Sequence, residues 1–124
     1  TDAKIGLVVV DYIQFVNPGL TKDSREQQIA GISHTLRATA RESQLPFIVL
    51  SQLNEDGKLR ESRVIAHNAN IVLGVSIPID SNDFVVDLKK GRGIPLGTYK
   101  LNYDRAHAQL IPEPNLQTDY ADQN

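Results

Sequence analysis

The chain has 124 residues, 40% hydrophobic and 23% charged, with a formal net charge of −2; that length suits one domain with one core, and no apolar run is long enough to span a membrane. No cysteine occurs, which excludes a disulfide framework and thiolate metal ligation, and with no secretory signal the expected setting is the reducing cytoplasm. The slightly acidic balance excludes a uniformly basic nucleic-acid coat and leaves local cationic clusters to decide.

The first element lies in "IGLVVVDYIQ". Ile5 to Val10 alternates too little for a half-exposed strand and is too short for a helix, so it reads as a buried strand of a parallel sheet with Asp11 at its carboxyl end. Phe15 to Asp23 contains "NPG" and reads as a loop. Ser24 and Gln27 have capping-box spacing, and Ile29, Ile32, Leu36 and Ala40 mark one face of a helix ending near Ser43. "LPFIVLSQL" is a second buried strand, entered at Pro46 and left through Ser51 and Gln52. Strand, helix and strand make a βαβ unit, which brings Asp11 and Gln52 to one edge of a parallel sheet. In open α/β sheets ligands bind outside that edge.

"NEDGKLRESR" is charged and poor in apolar residues, the composition of a loop. "VIAHNAN" suggests a short helix, "IVLGVSI" a third strand and "PIDSND" a turn. "FVVDLKK" and "GTYKLNYD" flank "GRGIPL", the pattern of two antiparallel strands joined by a glycine-rich basic loop. The expected fold class is therefore α/β, a parallel sheet core with helices and a C-terminal antiparallel β extension. Residues 1–112 form the expected domain and 113–124 a polar tail.

Asp11 has two readings. A carboxylate at the end of a buried strand is either a cap or structural ion-pair member, or a metal-associated group of the Walker B kind, which holds Mg²⁺ beneath nucleotide phosphates. Gln52 is either an ordinary strand-end polar residue or an amide placed to hydrogen-bond a γ-phosphate or its attacking water. Lys90 and Arg92, two apart between glycines, form either a solvated hairpin tip or an arginine-finger pair that reaches a neighbouring subunit. His34, His67 and His107 are scattered without ligand spacing.

Taken in order, "LVVVDYIQ", "REQQIAGISHTLRATARE", "LPFIVLSQLN", "LRES" and "KKGRGIPLGT" resemble the C-terminal half of the RecA-like motor domain of DnaB-type replicative helicases. The resemblance covers the chain to about Leu110. It implies a partial RecA-like fold, ATP and Mg²⁺ as cofactors, single-stranded DNA as partner and a homo-oligomeric, hexameric ring. By the same resemblance Asp11 matches the Walker B aspartate and Gln52 the γ-phosphate-sensing glutamine. Lys90 and Arg92 match the cations that enter the adjacent subunit's ATP site, and Arg60 and Glu61 the loop lying along single-stranded DNA.

The sequence departs from the family at three places. Arg63 and "AHNAN" stand where glycine and acidic residues are usual, adding a cation beside Lys58 and Arg60 that can meet phosphates. Gly93-Ile94 stands where the family tends to have Asn-Gly. No GxxxxGK[ST] occurs, so the chain is expected to be a fragment that does not hydrolyse ATP alone, an expectation shared by its lack of methionine and its start on "TDAK". Two readings from other classes stay open: a receiver-like domain that accepts phosphate on Asp11 with Ser51 nearby, and a non-catalytic single-stranded-DNA-binding module using Lys58, Arg60 and Arg63.

Overall fold

A computed structural model describes residues 3–53, 63–112 and 119–120. Its contacts divide the chain into two compact units, Thr1–Ala69 and Asn70–Asn124, where the sequence predicts one core. The division follows from the layers: the first unit closes helix on sheet, and the second closes through its own strand ladder.

In the first unit β1 (Val8–Val10) pairs in parallel with β2 (Phe47–Val49), with Val9 opposite Ile48. The crossover is α1 (Arg25–Ser43), as the periodicity requires. Its start is a capping box: Gln27 N–H donates to Ser24 Oγ at 3.3 Å, and Ser24 N–H to Gln27 Oε1 at 2.9 Å. It ends at Gln44, which takes the left-handed φ of 55° that releases a chain from a helix. Ile29 and Ile32 of α1 are buried with Ile13, and Val16, Leu36, Val49 and Ile65 pack around them. This cluster is the core of the unit.

Both strands are shorter than expected and only one of their faces is covered. Val8, Val10, Phe47 and Val49 are half-buried, whereas Leu7, Val9, Ile48 and Leu50 are exposed. The expectation of a fully buried first strand fails here because α1 supplies a helical layer to one face alone. A second helix, α2 (Arg63–Asn68), docks on α1 through a buried amide: Asn68 Nδ2 donates to Ser33 Oγ at 3.0 Å and lies 3.3 Å from His34 Nδ1. Asn68 and Ser33 are both buried, so each satisfies a group the other would leave unpaired.

The second unit is an antiparallel sheet in the order β3 (Val72–Ser76), β4 (Asp83–Lys90), β5 (Gly97–Asp104), β6 (Gln109–Ile111), with β7 (Asp119–Tyr120) also on β5. The third strand thus joins the antiparallel sheet and not the parallel pair. Val86 faces Val75 on one side and Tyr99 on the other, and a register shift separates Val72 from Leu73. Two residues of the expected tail, Asp119 and Tyr120, pair with Thr98 and Gly97. Gly74 of β3 leaves room for the stem of Lys89, whose Cε is 2.7 Å from where a Cβ would stand. Arg105, just past β5, ties the turn before β4 by donating to the carbonyls of Pro78 (3.2 Å) and Ser81 (2.9 Å).

Candidate functional site

β1 and β2 deliver two polar side chains to one rim. Leu50 N–H donates to the Val10 carbonyl at 2.9 Å, and Ile13 N–H donates back to the Leu50 carbonyl at 2.9 Å. Parallel pairing therefore continues past both strand ends, and Asp11 and Gln52 both lie just beyond adjacent strands at the carboxyl edge of the sheet. Both are exposed. The Asp11–Tyr12 peptide is cis, and Tyr12 stacks on Phe15 with ring centroids 4.3 Å apart.

After Asp11 the chain enters a 3₁₀ turn, Ile13–Phe15, anchored by Ile13, which is 1% exposed. The next residue, Gln14, reaches across to the end of β2. Its Nε2 donates to Ser51 Oγ at 2.9 Å, and its Oε1 accepts Gln52 N–H at 3.3 Å. The Arg25 guanidinium at the start of α1 donates to the Gln14 carbonyl. Sequence reasoning missed Gln14: its position in "DYIQ" carries no periodicity signal, and its partners are 37 and 38 residues away.

The other cations lie on separate elements. Lys90 is the last residue of β4, half-buried and paired with Val72. Arg92 is exposed in the loop that leads to β5. Gly93 holds φ at 65° there, and a Cβ on Gly91 would stand 3.3 Å from that of Ile94, so the glycines let the loop double back beneath Arg92. Lys90 and Arg92 thus share one hairpin of the second unit, while Asp11 and Gln52 share the rim of the first. Arg63 is exposed as the first residue of α2. Lys58, Arg60 and Glu61 lie outside the described residues.

The donor set bears on the cation that Asp11 can hold. Among the described residues no three or more His, Asp or Glu side chains gather into a metal-binding group. Mg²⁺ keeps several waters and takes one or two carboxylates together with substrate phosphates. A single exposed carboxylate at a strand end fits an ion shared with a nucleotide and does not fit an all-protein cage.

A parallel strand–helix–strand unit with polar residues at its carboxyl rim, followed in the chain by an antiparallel sheet, is an α/β arrangement, and the solved structures it matches are RecA-like helicase ATPase domains. A solved ATPase domain matches with a TM-score of 0.78 at 28% identity, over 86% of this chain and 44% of that one. A DnaB-like replicative helicase, studied with its interactions with primase, matches with a TM-score of 0.77 at 28% identity, over 86% of this chain and 30% of that one. The family model for the DnaB-like helicase C-terminal domain matches residues 1–110. The chain belongs to that family. The replicative DNA helicase DnaB of Geobacillus stearothermophilus is 28% identical over 129 aligned positions, which cover 89% of this chain. The chain spans between 25% and 30% of the length of such curated relatives. No helix among the described residues is long and apolar enough to cross a membrane.

Proposed function

We propose that this chain is part of the motor of a cytoplasmic, hexameric, ATP-dependent replicative helicase that moves on single-stranded DNA to part the duplex. The observation that supports it is the shared rim: Asp11 and Gln52 follow hydrogen-bonded neighbouring strands at the same edge of the sheet, in a chain of a helicase family. In this reading Asp11 is the carboxylate that would hold Mg²⁺ shared with the phosphates of ATP. When bound, the ion supplies neutralisation of the charge on the phosphoryl oxygens. Gln52 hydrogen-bonds the terminal phosphate or its attacking water, and loss of that partner frees the strand end to relax.

Lys90 and Arg92 act in trans, at the site of the adjacent copy, where Arg92 stabilises the charge of the transition state. Lys58, Arg60, Glu61 and Arg63 border the single strand, the three cations on its phosphates. The phosphate cradle comes from sequence beyond these 124 residues, since no GxxxxGK[ST] occurs in them.

The test uses the full-length protein encoded by the native gene. Arg92→Ala is expected to lower DNA-stimulated ATP hydrolysis by about 10³-fold or more, while a fluorescent ATP analogue still binds. Turnover within about tenfold of wild type, against that range for a finger arginine, overturns the trans role. A wild-type full-length protein that hydrolyses no ATP overturns the helicase reading itself.

A further inference from the structure

We infer that Gln14 is a positioning residue that ties the Asp11 end of β1 to Gln52, an inference that rests on the rim reading above. Among the described residues, the backbone bonds between the two strand exits end at Leu50, whose N–H meets Val10 and whose carbonyl meets Ile13. Beyond that point, among the described residues, Ser51 and Gln52 are held to the 3₁₀ turn that follows β1 by the Gln14 side chain. Gln14 gives its Nε2 hydrogen to Ser51 Oγ and takes the Gln52 N–H on Oε1.

A primary amide is suited to this because it carries a donor and an acceptor at a fixed separation. The base of the tether is anchored on both sides. Ile13, one residue earlier, is 1% exposed in the core and hydrogen-bonded to Leu50, and Arg25 holds the Gln14 carbonyl. Gln14 is three residues past Asp11, so a shift of the Asp11 strand end passes through one turn and one amide to the backbone N–H of Gln52. The same path run backward carries a change at Gln52 to the carboxylate. The role is therefore to keep the spacing of two groups that both address one phosphate chain, without touching it.

Three substitutions in the full-length protein test this, with oligo-dT as the DNA. Gln14→Leu keeps the size and removes both bonds; kcat for DNA-stimulated hydrolysis should fall about tenfold with the KM for ATP within about twofold, the split expected for misplaced reacting groups. Gln14→Glu should recover most of that kcat, because a carboxylate accepts Gln52 N–H and the Ser51 hydroxyl can rotate to donate. Ser51→Ala removes one bond and should fall between. Amide exchange at Gln52 N–H, measured without nucleotide, should quicken about tenfold in Gln14→Leu, as loss of one hydrogen bond implies.

The tether is overturned if Gln14→Leu retains kcat, if Gln14→Glu is as impaired as Gln14→Leu, or if KM rises in step with the loss of kcat. Should Gln14→Leu not fold, a wild-type kcat in Ser51→Ala overturns it. Unchanged exchange at Gln52 N–H refutes the contact whatever the activity. A wild-type protein without ATPase refutes the rim reading alone, because the exchange measurement does not depend on it.

Discussion

In Thr1–Ala69 three isoleucines, Ile13, Ile29 and Ile32, are buried behind one helix, whereas among the described residues of Asn70–Asn124 the single buried hydrophobic is Leu88. The first unit draws on removal of apolar surface from water. The second draws on eight-residue strands in register and on turns pinned by side chains, such as Arg105 on Pro78 and Ser81. The difference teaches where each candidate group takes its position from. Asp11 and Gln14 lie within two residues of a core residue, Ile13, so their placement is tertiary. Arg92 sits in a loop shaped by its own glycines, so its placement is local.

The largest break in that contrast comes from the first unit. Ile29 is 0% exposed, and Ile29→Ala should cost about 2–5 kcal/mol, the range for truncating a buried isoleucine. Urea unfolding followed by circular dichroism measures it. A cost under about 1 kcal/mol, far below that range, means that the cluster is not what holds the unit.

A smaller effect is expected at Gly93, where φ is 65°. Gly93→Ala should cost about 1 kcal/mol by placing an L side chain in the left-handed region. The shift in thermal midpoint measures it, and in the full-length protein it should come with a loss of Arg92 function. Stability lost with Arg92 function intact would separate the loop's shape from its task.

The smallest effect concerns the turn after β5. The hydrogen bond from His107, with Nδ1 at 2.7 Å from Asp104 Oδ2, holds the Asp104 carboxyl below its ordinary range. Desolvation opposes that shift, and the N–H groups of His107 and Ala106 add to it. A depressed carboxyl contributes stability that is full above its unfolded pKa and is lost as pH falls through the lower folded value. Asp104→Asn should therefore weaken the protein slightly at neutral pH and flatten its acid limb, with thermal midpoints across an acid series as the measure. An acid limb of unchanged steepness would show that the pair contributes nothing to folding.

The sequence exposes some of these features and conceals others for physical reasons. α1 is legible because its cap and apolar spacing are local, and they recur as the capping box of Ser24 and Gln27 and the buried Ile29 and Ile32. The β4–β5 hairpin is legible for the same reason, since its turn signal lies between its own strands. Strand burial is not local. "IGLVVV" looks buried on both faces, but Leu7 and Val9 are exposed, because what covers a strand is set by chain far from it. The sheet that "IVLGVSI" joins is hidden likewise, since an apolar run does not name its partner. At the rim, Asp11 and Gln52 are readable as the polar ends of apolar runs. Gln14 is not, because its meaning arises only once β2 is laid beside β1.

One edge of the second sheet carries a consequence for handling the protein. Among the described residues β3 is last in the strand order, and Leu73 and Val75 within it, with Ile71 just before it, are exposed. An edge with open backbone and an apolar stripe is a template for adding a foreign strand, the route to aggregation and amyloid-like pairing. Lys89 of β4 lies over Gly74 at the middle of that strand, its Cε 2.7 Å and its Nζ 3.1 Å from where a Cβ would stand, so its ammonium group sits over the face of the exposed strand. Any larger residue at Gly74 has to displace that lysine stem, since its Cβ would stand 2.7 Å from Lys89 Cε, and so moves the cation seated over this apolar strand.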